Sequence, residues 1–108
     1  MGRLIVMWID PMHLSAKASE AWVRTESRRL LELDDVEGLE LARLARASEA
    51  HGQPWDWFLE VRLLPSTAHP GCVDSPLFTE WLGDLRLLGM RPVVVRVSDT
   101  TAIGRDRD

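Results

Sequence analysis

Trp55-Asp56-Trp57-Phe58-Leu59-Glu60-Val61-Arg62-Leu63 is the stretch that decides the fold. Trp55, Trp57, Leu59, Val61 and Leu63 fall on one side of it, and Asp56, Phe58, Glu60 and Arg62 on the other. That period of two predicts a strand with one apolar face and one mixed face. Before it, Ser48–Pro54 holds polar turn residues and Gly52, which read as a hairpin loop, so Gly38–Ala47 is expected to be its antiparallel partner. After it, Pro65–Ser75 reads as a loop. Ser75-Pro76 then combines an N-cap with a first-turn proline. Leu77, Phe78, Trp81, Leu82, Leu85 and Leu88 make a helical stripe over Pro76–Leu88, and Gly89 should close that helix in a left-handed conformation. Pro92–Ser98 is read as the last strand.

The first third of the chain supplies the missing half. Leu4–Ile9 is apolar on both sides, as expected of a central strand, and Asp10-Pro11 ends it. Ser15 is a plausible N-cap for a helix over Ser15–Leu33. The ridge Ser15, Ser19, Trp22, Glu26, Leu30 and Leu33 is expected to face the sheet. The element order is therefore βαββαβ, an α+β ferredoxin-like arrangement: a four-stranded antiparallel sheet with two helices on one face. The helices are expected on the face holding Trp57, Leu59 and Val95. The other face would carry Phe58 and Val94 beside Glu60, Arg62 and Arg96, too apolar to be left wet, so a homodimer closing into an α/β barrel is expected.

Composition narrows the classes of function. With 108 residues, 45% of them hydrophobic, the chain is expected to form one domain over 1–98 with a polar tail at 99–108. The formal charge of −4 is spread evenly and leaves no basic stripe, so nucleic acid is not expected as a partner. No apolar run approaches the ~20 residues that cross a bilayer, and Leu4–Ile9 is too short for a signal peptide. The single Cys72 fits a reducing, cytoplasmic setting. Twelve Arg against one Lys, with no Asn and no Tyr, fits a GC-rich, bacterial genome.

The chain resembles the dimeric α/β-barrel superfamily, which includes EthD-like proteins and antibiotic-biosynthesis monooxygenases. The resemblance covers roughly residues 3–98. It rests on the element order, on Trp22-Val23-Arg24-Thr25-Glu26-Ser27, and on Leu33-Asp34-Asp35-Val36-Glu37-Gly38. Ser27 stands where EthD-like relatives have a histidine, and Asp34-Asp35-Val36 replaces their Pro-Gly-Val. The resemblance implies a small compound bound between helices and sheet, and oxygenation, isomerisation or dehydration without a tightly bound cofactor.

Candidate residues follow from chemistry. Glu26 on an apolar ridge is a candidate general acid or base, and the alternatives are an ion pair with Arg29 or with a strand arginine, or a side chain that escapes at the sheet edge. His13, after the first strand, is a candidate proton carrier. Trp8, Trp22, Trp57 and Trp81 are candidate aromatic walls for a flat ligand, with His69 in the long loop beside them. The alternative is that the tryptophans fill the core. His69 and Cys72 form the one close His/Cys pair, but a nucleophile would also need an orienting third group. No metal-ligand spacing and no glycine-rich phosphate loop occur. Two readings stand: an enzyme acting on an aromatic compound, and a non-catalytic dimeric module binding a ligand or protein.

Overall fold

The computed structural model describes residues 2–44, 55–64, 71–97 and 101–104. The expected hairpin loop, His51 and His69 lie outside them. Among the described residues the strands are β1 (Gly2–Trp8), β2 (Val36–Arg43), β3 (Trp57–Leu63) and β4 (Val93–Val97). The helices are α1 (Ala16–Ser27), a short α2 (Gly71–Asp74) and α3 (Pro76–Leu87), with a 3₁₀ turn over Arg28–Glu32. The strands form one antiparallel sheet in the order β2-β3-β1-β4. Two crossovers built around α1 and α3 produce that order, which is the predicted ferredoxin-like topology.

The period of two in β3 survives intact. Trp57, Leu59, Val61 and Leu63 are buried under the helices, opposite Trp8, Val6, Leu4 and Gly2 of β1. Each fully buried aliphatic side chain contributes roughly 1.5–3 kcal/mol of transfer free energy. Trp8 and Trp57 stack with ring centroids 6.5 Å apart, and Trp81 of α3 meets Trp8 edge-on at 5.9 Å.

Both helix starts form as their caps predict. The Ser15 hydroxyl accepts from Ala18 N, and the Ser75 hydroxyl accepts from Phe78 N ahead of Pro76. Gly89 ends α3 at φ +85°. Met90 N donates to Leu85 O and Gly89 N to Arg86 O, which is the Schellman pattern that satisfies the last carbonyls.

Three expectations are corrected. First, α1 is turned by about one residue. Ser19, Val23 and Ser27 are buried, Leu30 follows from the 3₁₀ turn, and Trp22 and Glu26 sit at the flank. Trp8 and Trp57 already fill the space above the sheet, so the helix offers it small side chains. Second, β4 shows the helices Val94, opposite Val6, while Val95 pairs with Ile5 on the open face. Arg96 lies opposite Leu4, so it too belongs to the helix side. Three consecutive valines carry no contrast by which alternation could be read. Third, β2 begins two residues earlier than expected and its described part ends at Arg43, with a register irregularity between Val36 and Gly38. The Arg62 guanidinium lies where a side chain at Gly38 would go, 2.8 Å from an ideal Cβ.

The open face is graded. One end is the row Ala42, Phe58, Met7 and Val93. The middle row is Glu40, Glu60, Ile5 and Val95, and the far end is Gly38, Arg62, Arg3 and Val97. Arg3 pairs with Glu60 at 3.4 Å. Among the described residues no helix is long and apolar enough to cross a membrane.

Candidate functional site

The sheet's asymmetry creates a cleft. β2 is an edge strand, and its inward-facing Leu39 and Leu41 are only partly covered. Together with Leu59 of β3 they floor an open cleft of about 440 Å³ beneath the end of α1. Arg24, Thr25, Ser27 and Arg28 complete its lining. Arg24, Thr25 and Arg28 are exposed and form the rim, whereas Ser27 is only 4% exposed. The Ser27 hydroxyl is buried and has no hydrogen-bond partner. Only the resemblance singled out Ser27, as the residue standing in place of a histidine. Its burial could not be read from a helical wheel turned by one position.

Glu26 sits in a second, smaller cleft of about 230 Å³ with Trp22, Asp84, Leu87 and Leu88. Its carboxylate accepts from Arg29 at 3.2 Å, and the same Arg29 nitrogen donates to Asp84 at 2.8 Å. Asp84 first, then Glu26, raises the Arg29 pKa above its already high value despite desolvation, so the guanidinium stays charged. The ion pair weighed against a catalytic role is therefore present, and an open cleft lies beside it. His13 is exposed, next to Gly89, and is not part of either cleft's lining. Of the four candidate tryptophans, Trp8, Trp57 and Trp81 are fully buried in the core and line neither cleft. Trp22 borders the smaller one. The structure thus separates Glu26 with Trp22 from the other tryptophans.

A polar knot centred on Asp10 stands at the start of α1. One Asp10 carboxylate oxygen accepts from Ser19 Oγ and Trp57 Nε1, both at 2.7 Å, and the other accepts from Arg43 at 3.1 Å. Arg43 also lies 4.4 Å from the Trp57 ring centroid. The Asp10 amide donates to Asp56 at 2.8 Å. Partial burial works against the Asp10 charge, but the hydrogen bonds from Ser19, Trp57 and Arg43, with the Arg43 charge, outweigh it and hold the carboxyl below its ordinary value. Asp10 followed by proline reads as a strand terminator, and its partners are distant in sequence.

Cys72 is fully buried, and desolvation, reinforced by the charge of Asp35, pushes its thiol up to about 12. A thiol so placed is not a nucleophile near neutral pH. Asp35 accepts from the Cys72 amide at 2.8 Å, tying α2 to the start of β2. Among the described residues no group of three or more His, Cys, Asp or Glu could hold a metal ion.

With this geometry in hand, comparison with solved structures settles the architecture. The fold is ferredoxin-like. The crystal structure of At3g17210 from Arabidopsis thaliana is similar to this chain with a TM-score of 0.76 at 10% identity, over 95% of this chain and 99% of that one. SnoaB, a cofactor-independent oxygenase from Streptomyces nogalater, is similar with a TM-score of 0.65 at 10% identity, over 96% and 97%. A dimeric ferredoxin-like protein of unknown function from Thermobifida fusca gives 0.62 at 14% identity, over 89% and 88%. Dabb and EthD family proteins share the arrangement as well, so the resemblance read from the sequence holds at the level of fold. No protein-family model matches the chain, and no curated protein matches it. Identities this low carry architecture and not chemistry.

Proposed function

We propose that the chain forms a homodimer through the open face of its sheet and binds a small, largely apolar or aromatic compound in the cleft between α1 and the β2 edge. The observation that carries the binding reading is the cleft itself. Three leucines floor it, a buried serine without a partner stands in its wall, and its volume lies in the range of small-molecule sites. The test uses methyl 2-naphthoate, a neutral flat probe, in calorimetric titration. Binding to the native chain, abolished by filling the cleft with Leu41→Trp, is the expected result. Absence of binding, or binding that survives Leu41→Trp, would remove this reading.

Dimerisation is supported by the open face, where Ile5, Met7, Phe58, Val93 and Val95 remain at least partly exposed. A ferredoxin-like neighbour that is dimeric supports it too. Light scattering at micromolar concentration should give about twice the 12.3 kDa chain mass. Phe58→Asp should shift the protein toward monomer by placing a charge in the apolar row.

A catalytic reading is favoured by one observation, the position of Glu26 in an open cleft beside Trp22. A cofactor-independent oxygenase on this fold gives that reading a precedent. In it Glu26 moves a proton and Trp22 holds a ring. Glu26→Gln would keep binding and lower turnover, whereas unchanged turnover of any substrate found would exclude the role. The fixed ion pair with Arg29 favours binding as the primary function.

A further inference from the structure

The cleft under α1 is apolar at its floor and cationic at its rim, and that combination specifies more than hydrophobicity. We infer that its ligand is an amphipathic anion, a flat apolar body bearing one carboxylate that Arg24 and Arg28 hold at the rim. The inference rests on the ligand-binding reading above and adds the charged group.

Of the seven lining residues two are arginines and none is acidic, in a chain whose net charge is −4. The local sign therefore opposes that of the whole molecule. Arg24 and Arg28 are four residues apart, which places them side by side at one end of the helical segment. Arg28 has no acidic partner among the described residues. Among the described residues Arg24 meets Glu20 alone, one turn back, at 3.4 Å, with both side chains solvated. Such a solvated pair contributes little and is readily exchanged for a better acceptor. Guanidinium forks match carboxylates in geometry as well as charge. Inside the rim the buried Ser27 hydroxyl has no partner; the indole nitrogens of Trp8 and Trp81 share that state in the core, and Ser27 alone of the three lines this cleft. A carboxylate at the rim and an oxygen substituent pointing inward would use both.

The probes are 2-naphthoate and its neutral methyl ester, titrated calorimetrically into the native chain and into the double variant Arg24→Gln, Arg28→Gln. The naphthoate should bind about tenfold tighter than the ester, or more, the size of one charge-assisted hydrogen bond. In the double variant the ratio of the two affinities should fall to within about threefold of one, whatever the change in ester affinity itself. Equal affinities in the native chain, or an advantage that persists without the arginines, would overturn the inference and leave the apolar cleft standing. Failure of the ester itself to bind would instead overturn the parent reading.

Discussion

Helix α1 buries two serines, Ser19 near its start and Ser27 at its end, and the two are in opposite states. Ser19 donates to Asp10, whose carboxylate also holds Trp57 and Arg43, so that end of the helix is tied to the centre of the sheet. Ser27 is almost equally buried and donates to nothing. The difference follows the strands beneath. The Asp10 knot sits where β1 and β3 lie side by side and Trp8 and Trp57 fill the layer, whereas the Ser27 end overhangs the edge strand β2 and leaves space. One helix is thus anchored at its start and borders an open cleft at its end. A buried hydroxyl without a partner costs on the order of 1–3 kcal/mol, and under the proposed function a ligand in the cleft would offset that cost.

The largest effect is expected at the anchored end. Asp10→Ala removes the acceptor for two buried donors and one guanidinium, and urea unfolding should show a loss of about 3 kcal/mol. A loss under about 1 kcal/mol would mean that the knot is not the anchor. The same carboxyl gives the anchor a pH dependence. Its folded pKa lies below the unfolded value of about 3.9. Its stabilisation is therefore fully present above that value and is lost as the pH falls through the lower folded one. Asp10→Asn should flatten the acid limb of the stability curve, and an unchanged limb would assign the acid loss to other carboxylates.

Ser19→Ala should cost about 1–2 kcal/mol, since one hydrogen bond to a charged acceptor disappears. Ser27→Ala is the counterpart and the smallest effect. It removes a buried donor that has no partner, so stability should stay within about 0.5 kcal/mol or rise. If the two alanine variants lost the same stability, the contrast between the helix ends would be gone.

How much of this was legible in the sequence depends on local contrast. β3 alternates tryptophan, leucine and valine with charged residues and could be read face by face. β4 presents Val93, Val94 and Val95 in a row, so alternation cannot tell its faces apart, and only pairing with β1 puts Val94 on the helix side. The cap residues Ser15, Ser75 and Gly89 were readable because their chemistry is local. The facing of α1 was not, because it depends on the bulk of Trp8 and Trp57, which reach the helix only through the tertiary fold. A helical wheel places its ridge through the large Trp22, whereas the residues that meet the sheet are the smaller Ser19, Val23 and Ser27. The Asp10 knot was hidden for a different reason: Ser19, Arg43 and Trp57 come together only when three elements pack.

The central claim, that the open end of α1 is where a ligand binds, is tested most directly by amide and methyl NMR shift mapping with 2-naphthoate. Perturbations should concentrate on Thr25, Ser27, Leu39, Leu41 and Leu59, with Ser19 and the Trp57 indole unmoved. Shifts centred instead on Trp22, Glu26 and Leu88, or spread without a focus, would contradict it.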